Sequence, residues 1–289
     1  METAELLKQV RKIEIKTKGL SRQMFAGGYK SSFKGRGMSF SEVREYHYGD
    51  DVRNIDWNVT ARFDRPHVKV FEEERELTVL LMVDVSRSSF FGTNKELKSG
   101  LITLIAATLS LAAIRNNDKV GMLFFSDKVE LFIPPKKGKS HALRIIRELI
   151  EPQVKGTKTD IAQALRYVNN MLKKRAIVFL LSDFADSNYK EALGIVARRH
   201  DVVGLHIYDR HETEMPDIGL VRVQDAESGS VKWVDTSSKE TRVKYRAEFL
   251  RRTDTLKKNF ASTGTDFISL ETGKPFIHAL MNLFSRRSH

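Results

Sequence analysis

The hydrophobic pattern changes character at residue 77. Beyond it, apolar runs of strand length alternate with stretches of helical period. Leu77 to Asp84 is a continuous apolar run closing on a carboxylate, as a strand buried on both faces reads. From Asn94 to Asn116, Leu97, Leu101, Leu104, Ile105, Thr108, Leu111 and Ala112 recur at helical spacing. Strands are also predicted at Lys119–Ser126, at Val129–Ile133 (stopped by Pro134-Pro135), at Ala176–Ser182, Val202–Tyr208 and Asp266–Leu270. Helices are predicted at Lys139–Leu149, Asp160–Leu172, Tyr189–Arg199, Lys239–Thr263 and Pro275–Phe284. Gly219–Val223 and Val231–Val234 flank Glu227-Ser228-Gly229-Ser230, which predicts a β-hairpin. Strands alternating with helices imply right-handed parallel crossovers and an α/β, doubly wound, mostly parallel sheet. Residues 77–289 are expected to form this domain, with 210–237 as a hairpin insertion. Residues 1–76, Gly- and Arg-rich with few periodic apolar runs, are expected to be an N-terminal extension.

Candidate chemistry lies at the ends of the predicted strands. Asp84-Val85-Ser86-Arg87-Ser88 places a carboxylate and two hydroxyls at alternate positions just past the first core strand. Thr159 precedes the helix opening at Asp160, and Asp183 follows Ser182 at the end of another buried strand. In an open parallel sheet such ends gather at one rim, near the point where strand order reverses. Oxygen-only ligands suit a hard divalent cation, Mg²⁺ first and Mn²⁺ or Ca²⁺ as alternatives. The expected ligands are Asp84, Ser86, Ser88, Thr159 and Asp183. The competing reading is that Asp84 and Ser86 cap a helix and Asp183 closes a turn.

Composition narrows the function classes. The 289 residues are 41% hydrophobic and 30% charged, ordinary for a soluble domain. With no cysteine, disulfides, zinc-thiolate sites and cysteine nucleophiles are excluded. Met1 to Lys12 lacks the apolar core of a signal peptide. The apolar stretch Leu101–Ile114 is too short to span a bilayer and contains Thr103, Thr108 and Ser110, so a core helix and a cytoplasmic protein are expected. The net charge is +12 and the pI about 9.7. Before residue 40, Lys8, Arg11, Lys12, Lys16, Lys18, Arg22, Lys30, Lys34 and Arg36 face only Glu2, Glu5 and Glu14. That arm could bind nucleic acid, or be a solvated basic face. Only Phe25, Tyr29 and Phe33 lie within it, which limits base stacking.

Other motifs fail on spacing. Gly138-Lys139-Ser140 lacks the Gly a phosphate loop needs five residues earlier, where Ile133 stands, so a turn into a helix is expected. His211-Glu212-Thr213-Glu214-Met215 lacks a second zinc-binding His, and there is no Gly-x-Ser-x-Gly elbow. A hydrolase working through Asp84 and Asp183 would need a positioned base, and none is evident.

Taken in order, the three loops resemble the metal-ion-dependent adhesion site (MIDAS) of a von Willebrand factor A (VWA) domain. One departure is Ser89, where many VWA domains carry Met. Two blocks, Ser31–Phe40 running on through Val43-Arg44-Glu45-Tyr46, Gly49–Trp57 and Ala61-Arg62, and Val68–Leu77, resemble the bacterial DUF58 family. So do Ser182-Asp183-Phe184, Arg199-His200-Asp201 and Glu214–Leu220. The resemblance implies a VWA-like fold and a non-enzymatic interaction module. It further implies an adaptor role for a MoxR-type AAA+ ATPase and its client protein, in chaperone-like assembly or maturation. Within the first block, Asp50, Asp51, Arg53, Asp56 and Trp57 are expected to form an ion-pair network with Trp57 as an apolar anchor, or else a partner-facing or second ion site.

Overall fold

The computed structural model describes residues 11–15, 17, 19–21, 39–63, 65–72, 76–90, 97–156, 158–224 and 230–288. The chain divides into two compact units, Lys34–Leu77 and the remainder. Of the nine basic residues of the N-terminal arm, only Arg11 and Lys12 lie within the described residues, as does Glu14.

In the smaller unit, strand β1 (Ser39–Glu45) pairs antiparallel with β2 (His67–Glu72), with a register shift between Phe40 and Glu42. Between them lie a 3₁₀ turn, Val52–Asn54, and helix α1 (Trp57–Phe63). Both are started by carboxylates. Asp51 accepts from the Arg53 N–H at 3.0 Å, and Asp56 accepts from the Asn58 and Val59 N–H groups. Arg44 forks onto Asp50 at 2.7 and 2.8 Å, and Lys69 reaches Asp56. Within this unit the expected charged residues form separate ion pairs, Arg44–Asp50, Arg53–Asp51 and Lys69–Asp56. Trp57 is not a buried anchor; it is 71% exposed. The strands here escaped the sequence reading because Ser39–Glu45 is polar at most positions and finds its partner more than twenty residues downstream.

The larger unit holds one six-stranded sheet: β3 (Thr78–Asp84), β4 (Lys119–Phe125), β5 (Val129–Lys136), β6 (Ile177–Ser182), β7 (Asp201–Tyr208) and β10 (Asp266–Glu271). Their order is β10-β7-β6-β3-β4-β5, all parallel except β5, which runs against β4. The chain winds outward from β3 in one direction and then from β6 in the other. The reversal therefore falls between β3 and β6, where α/β sheets place their sites. Val79 to Val83 are almost fully buried because helices cover both faces. On one face Ala107 and Leu111 of α2 (Lys98–Arg115) pack with Ala142 and Ile146 of α3 (Lys139–Ile150). A second cluster joins β3, β4 and β6 to α4 (Ile161–Met171) and α5 (Lys190–Arg199). This is the expected doubly wound α/β architecture.

Two boundaries depart from expectation. Strand β5 does not stop at Pro134-Pro135 but continues to Lys136. An edge strand tolerates proline, and the register jumps from Met122↔Ile133 to Val120↔Lys136 across the pair. Gly121 makes room for them, since a Cβ there would sit 2.7 Å from the Pro135 nitrogen. Helix α2 starts at Lys98, not Asn94; residues 91–96 lie outside the described set. Among the described residues α2 is the one helix long and apolar enough to cross a membrane, and most of it is buried in this core. Gly138, with φ +102°, is the N-cap of α3, so the apparent phosphate motif is a turn into a helix. The short helix α6 (Arg210–Thr213) follows β7, and β8 (Leu220–Gln224) and β9 (Val231–Asp235) form the expected hairpin. Helix α7 (Lys239–Ser262) and helix α8 (Ile277–Ser288) complete the unit.

Candidate metal centre

The carboxyl end of β3 is held by its neighbour: the Val85 N–H donates to the Phe125 carbonyl at 2.9 Å. Asp84 and Ser86 are buried just beyond. The Ser86 N–H donates to Asp84 Oδ1 at 2.9 Å, and the Ser182 hydroxyl donates to Asp84 Oδ2 at 2.6 Å. A 3₁₀ turn, Arg87–Phe90, then brings the Ser88 hydroxyl within 3.0 Å of the Ser86 hydroxyl. Ser89, the departure from the VWA pattern, donates its hydroxyl to the Asp84 carbonyl at 3.0 Å. Its hydroxyl closes the loop and leaves the candidate ligands untouched.

Asp183 enters from the end of β6. Its Oδ1 accepts from the Ala185 N–H at 3.2 Å, and it lines one cleft with Ser88. The turn is sharp because Phe184 adopts φ +52°, a left-handed conformation that a bulky residue rarely takes. Its ring, buried among Tyr189, His206, Phe260 and Phe267, holds that conformation in place.

Thr159 is placed from the β4 side. The Asp160 N–H donates to the Ser126 carbonyl at 2.9 Å, one residue past the Phe125 that pairs with Asp84. Asp160 itself caps α4 through the Gln163 N–H at 2.8 Å. Glu130 gathers the approaching loop by accepting from the Gly156 N–H at 2.6 Å and the Ser126 hydroxyl at 2.7 Å. Gly156 is required there, because a Cβ would stand 2.0 Å from Ser126 Oγ. Thr159 Oγ1 is buried and makes no hydrogen bond among the described residues. The structure thus joins Asp84, Ser86 and Ser88 by direct contacts, brings Asp183 to them through Ser182, which bonds Asp84, and places Thr159 on the same rim by topology.

Four residues at this rim were missed in the sequence. Ser182 orients Asp84, and Phe184 turns Asp183. Lys98, 1% exposed, donates to Asp183 Oδ2 and to Glu212 Oε1, each at 2.8 Å. Glu212 is fixed by a capping box in which its Oε2 accepts from the Asp209 N–H at 2.9 Å. One signal for Lys98 was available: a cation opening a core helix opposes the helix dipole.

The electrostatics follow from burial. Burial, and then the charge of Asp183, push the Asp84 carboxyl up to about 7, against the bonds from Ser182 and Ser86. Burial also pushes Asp183 up, but the charge and bonds of Lys98, with those of Ser88 and Ala185, hold it below the ordinary range. Burial lowers Lys98, but Asp183 and Glu212 outweigh it and keep its pKa raised. Among the described residues no three His, Asp or Glu side chains gather as metal ligands. The donor set is two carboxylates with hydroxyls, and the orphaned Thr159 oxygen has the chemistry of a missing cation contact. The residues fit a hard divalent cation. A cleft of about 430 Å³ opens beside Ser88 and Asp183, walled by His206, Tyr245 and Phe249.

Comparison with known proteins places the chain. It is 29% identical over 292 residues to the uncharacterized protein Rv1480 of Mycobacterium tuberculosis, an alignment covering 99% of this chain and 91% of that one. Among solved structures it is similar to BatB from Bacteroides thetaiotaomicron at 15% identity, with a TM-score of 0.47 over 73% of this chain and 98% of that one. It is also similar to the SpRpn10 VWA domain at 11% identity, with a TM-score of 0.38 over 72% of this chain and 94% of that one. A family model described as a protein of unknown function, DUF58, matches residues 42–255, the larger part of the sequence, so the chain belongs to the DUF58 family.

Proposed function

We propose that this chain is a non-enzymatic protein-interaction module of the VWA type whose docking depends on a divalent cation held at the rim of the sheet. The observation that carries the reading is the buried carboxyl of Asp84 with Asp183 at the end of the adjoining strand, the Ser86–Ser88 hydroxyl pair, and the orphaned Thr159 oxygen on the same rim. Asp84, Ser86, Ser88, Thr159 and Asp183 would hold the cation, Mg²⁺ or else Mn²⁺ or Ca²⁺. An open electrophilic position for a partner's carboxylate is what such an ion supplies when bound. Three of the five donors are neutral hydroxyls, so the protein's charge at the ion comes from Asp84 and Asp183. The adjoining cleft has room for a side chain next to that carboxylate. Family resemblance supports a MoxR-type AAA+ ATPase and its client as the partners.

The test is a pull-down with wild type and Asp84→Asn, each in Mg²⁺ and in chelator. Asparagine can keep the bond from the Ser86 N–H through its Oδ1 and donate from its Nδ2 to the Ser182 oxygen, while losing the charge. The expected result is an AAA+ ATPase recovered only by wild type in Mg²⁺. Recovery that ignores both chelation and the substitution would sink metal-gated docking.

A further inference from the structure

The hairpin of β8 and β9 is a two-stranded ribbon, and among the described residues no third strand pairs with either edge. Its faces are open as well: Leu220 is 65% exposed, Trp233 66%, Val223 44% and Val231 41%. Such a ribbon is marginal in water and gains stability from a further strand. Its base is nevertheless held firmly. The Thr236 hydroxyl donates to the Gly219 carbonyl at 2.6 Å and accepts from the Ile218 N–H at 3.1 Å. Arg242 of α7 donates to the Thr236 carbonyl at 2.6 Å and pairs with Asp217 at 3.0 Å. An edge fixed in this way is preorganised to receive another strand.

The ladder decides which groups that edge presents. The Thr236 N–H donates to the Gly219 carbonyl at 2.9 Å, and Leu220 stands opposite Asp235. Alternate residues direct their backbone groups at the neighbouring strand, so those of Val231, Trp233 and Asp235 point outward from β9. A second β9 laid antiparallel on the first must match outward residue to outward residue. The two-fold axis then passes Val231, Trp233 or Asp235. An axis at Asp235 sets two carboxylates face to face, and one at Val231 carries half of the overlap beyond the strand. An axis at Trp233 pairs the whole of β9 with itself. Trp233 meets its own copy, Val231 of each chain meets Asp235 of the other, and no like charges stand opposite. Self-pairing of β8 is disfavoured, because Arg222 at its centre would face Arg222.

We propose that a second copy of this chain docks on β9 and joins the two hairpins into one antiparallel sheet, in the order β8-β9-β9-β8, about an axis at Trp233. Each matched outward pair exchanges both of its N–H···O bonds, and the two indoles cover one another. A contact of this symmetry closes at the dimer. It is separate from the rim at Asp84 and needs no metal.

The test is sedimentation equilibrium of the full chain over a wide concentration range in chelator, with circular dichroism as the check on folding. Wild type is expected to show a monomer–dimer equilibrium. Val231→Lys, which brings an ammonium opposite Asp235 of the other copy, should tighten the dimer on the order of threefold, and Val231→Asp should weaken it by a similar factor. The chain's net charge of +12 would by itself give the reverse order, and general apolar adhesion would be weakened by both. Trp233→Arg, which sets two guanidinium groups together on the axis, should sediment as a monomer; if it does not fold, the Val231 pair still reads out. A wild type that is monomeric at every concentration reached overturns the proposal. So does a Trp233→Arg chain that dimerises as tightly as wild type. If the two Val231 variants shift the dimer in the same direction, pairing about Trp233 falls. Assemblies larger than a dimer would mean that the edges pair head to tail, which also overturns the two-fold contact.

Discussion

Thr159→Val separates a metal ligand from a helix-flanking residue, because the two roles predict opposite signs in different buffers. Thr159 Oγ1 is buried and unbonded among the described residues. A buried hydroxyl without a partner costs about 1–3 kcal/mol relative to one that is satisfied. Valine keeps the β-branched shape and removes the oxygen, so in chelator the variant should be more stable, by about 1 kcal/mol at the low end of that range. For a unit of this size about 1 kcal/mol corresponds to roughly 2–4 °C in melting temperature. In Mg²⁺ or Mn²⁺ the order should reverse. Wild type gains stability from the ion in proportion to occupancy, and the variant, with one ligand fewer, should bind on the order of tenfold more weakly. The assay is thermal melting of both chains across a metal titration that starts from chelator. The two curves should cross. A variant less stable than wild type already in chelator would show that the hydroxyl has an internal partner. Superimposable metal titrations would remove Thr159 from the ligand set.

Further outcomes concern the frame that holds the rim. Gly204→Ala should destabilise by about 1–3 kcal/mol or more in chemical denaturation, because the new Cβ would lie 2.5 Å from the buried ring of Phe260. Gly156→Ala should break the Ser126–Glu130 contact and weaken metal binding through Thr159, read by the same metal titration. His200 and His206 are each held neutral, their pKa values lowered by burial to about 4. Because both folded values lie below the unfolded value of about 6.5, the stability they contribute is present above that pH. It should be lost progressively as pH falls towards 4, by up to about 3 kcal/mol for each. His206→Phe should flatten this slope in denaturant midpoints measured across that window.

The sheet was legible because a strand buried on both faces has no polar positions to spare. Val79–Val83 and Ile177–Leu181 read directly as such runs, and each closes on a carboxylate or hydroxyl. Strand β5 was cut short because proline argues against a strand only where both edges are paired, and an edge is a property of topology. The strands of the smaller unit are hidden for a related reason: β1 and β2 are half polar and meet only through pairing distant in sequence. In the site, Asp84, Ser86, Ser88 and Asp183 could be read because each follows an apolar run. Lys98 and Glu212 sit 114 residues apart and share no pattern; only the folded chain brings the ammonium and the carboxylate to 2.8 Å.

Turn formation accounts for part of this rim. The Ser86 N–H on Asp84 Oδ1 and the Ala185 N–H on Asp183 Oδ1 are local loop-closing bonds, which a surface aspartate makes equally well. Each such turn uses one oxygen and needs no burial. Here Asp84 is almost completely withdrawn from water and Asp183 largely so, close enough that the charge of Asp183 raises the pKa of Asp84. Withdrawing two like charges into one site is unfavourable by several kcal/mol unless a cation shares it. Lys98 answers for Asp183, while Asp84 Oδ2 accepts from the neutral Ser182 hydroxyl. Turn closure thus leaves three features without a cause: the burial of Asp84, the paired hydroxyls of Ser86 and Ser88, and the unbonded oxygen of Thr159. A divalent cation among them would account for all three at once, which is the ground on which metal-dependent docking is proposed.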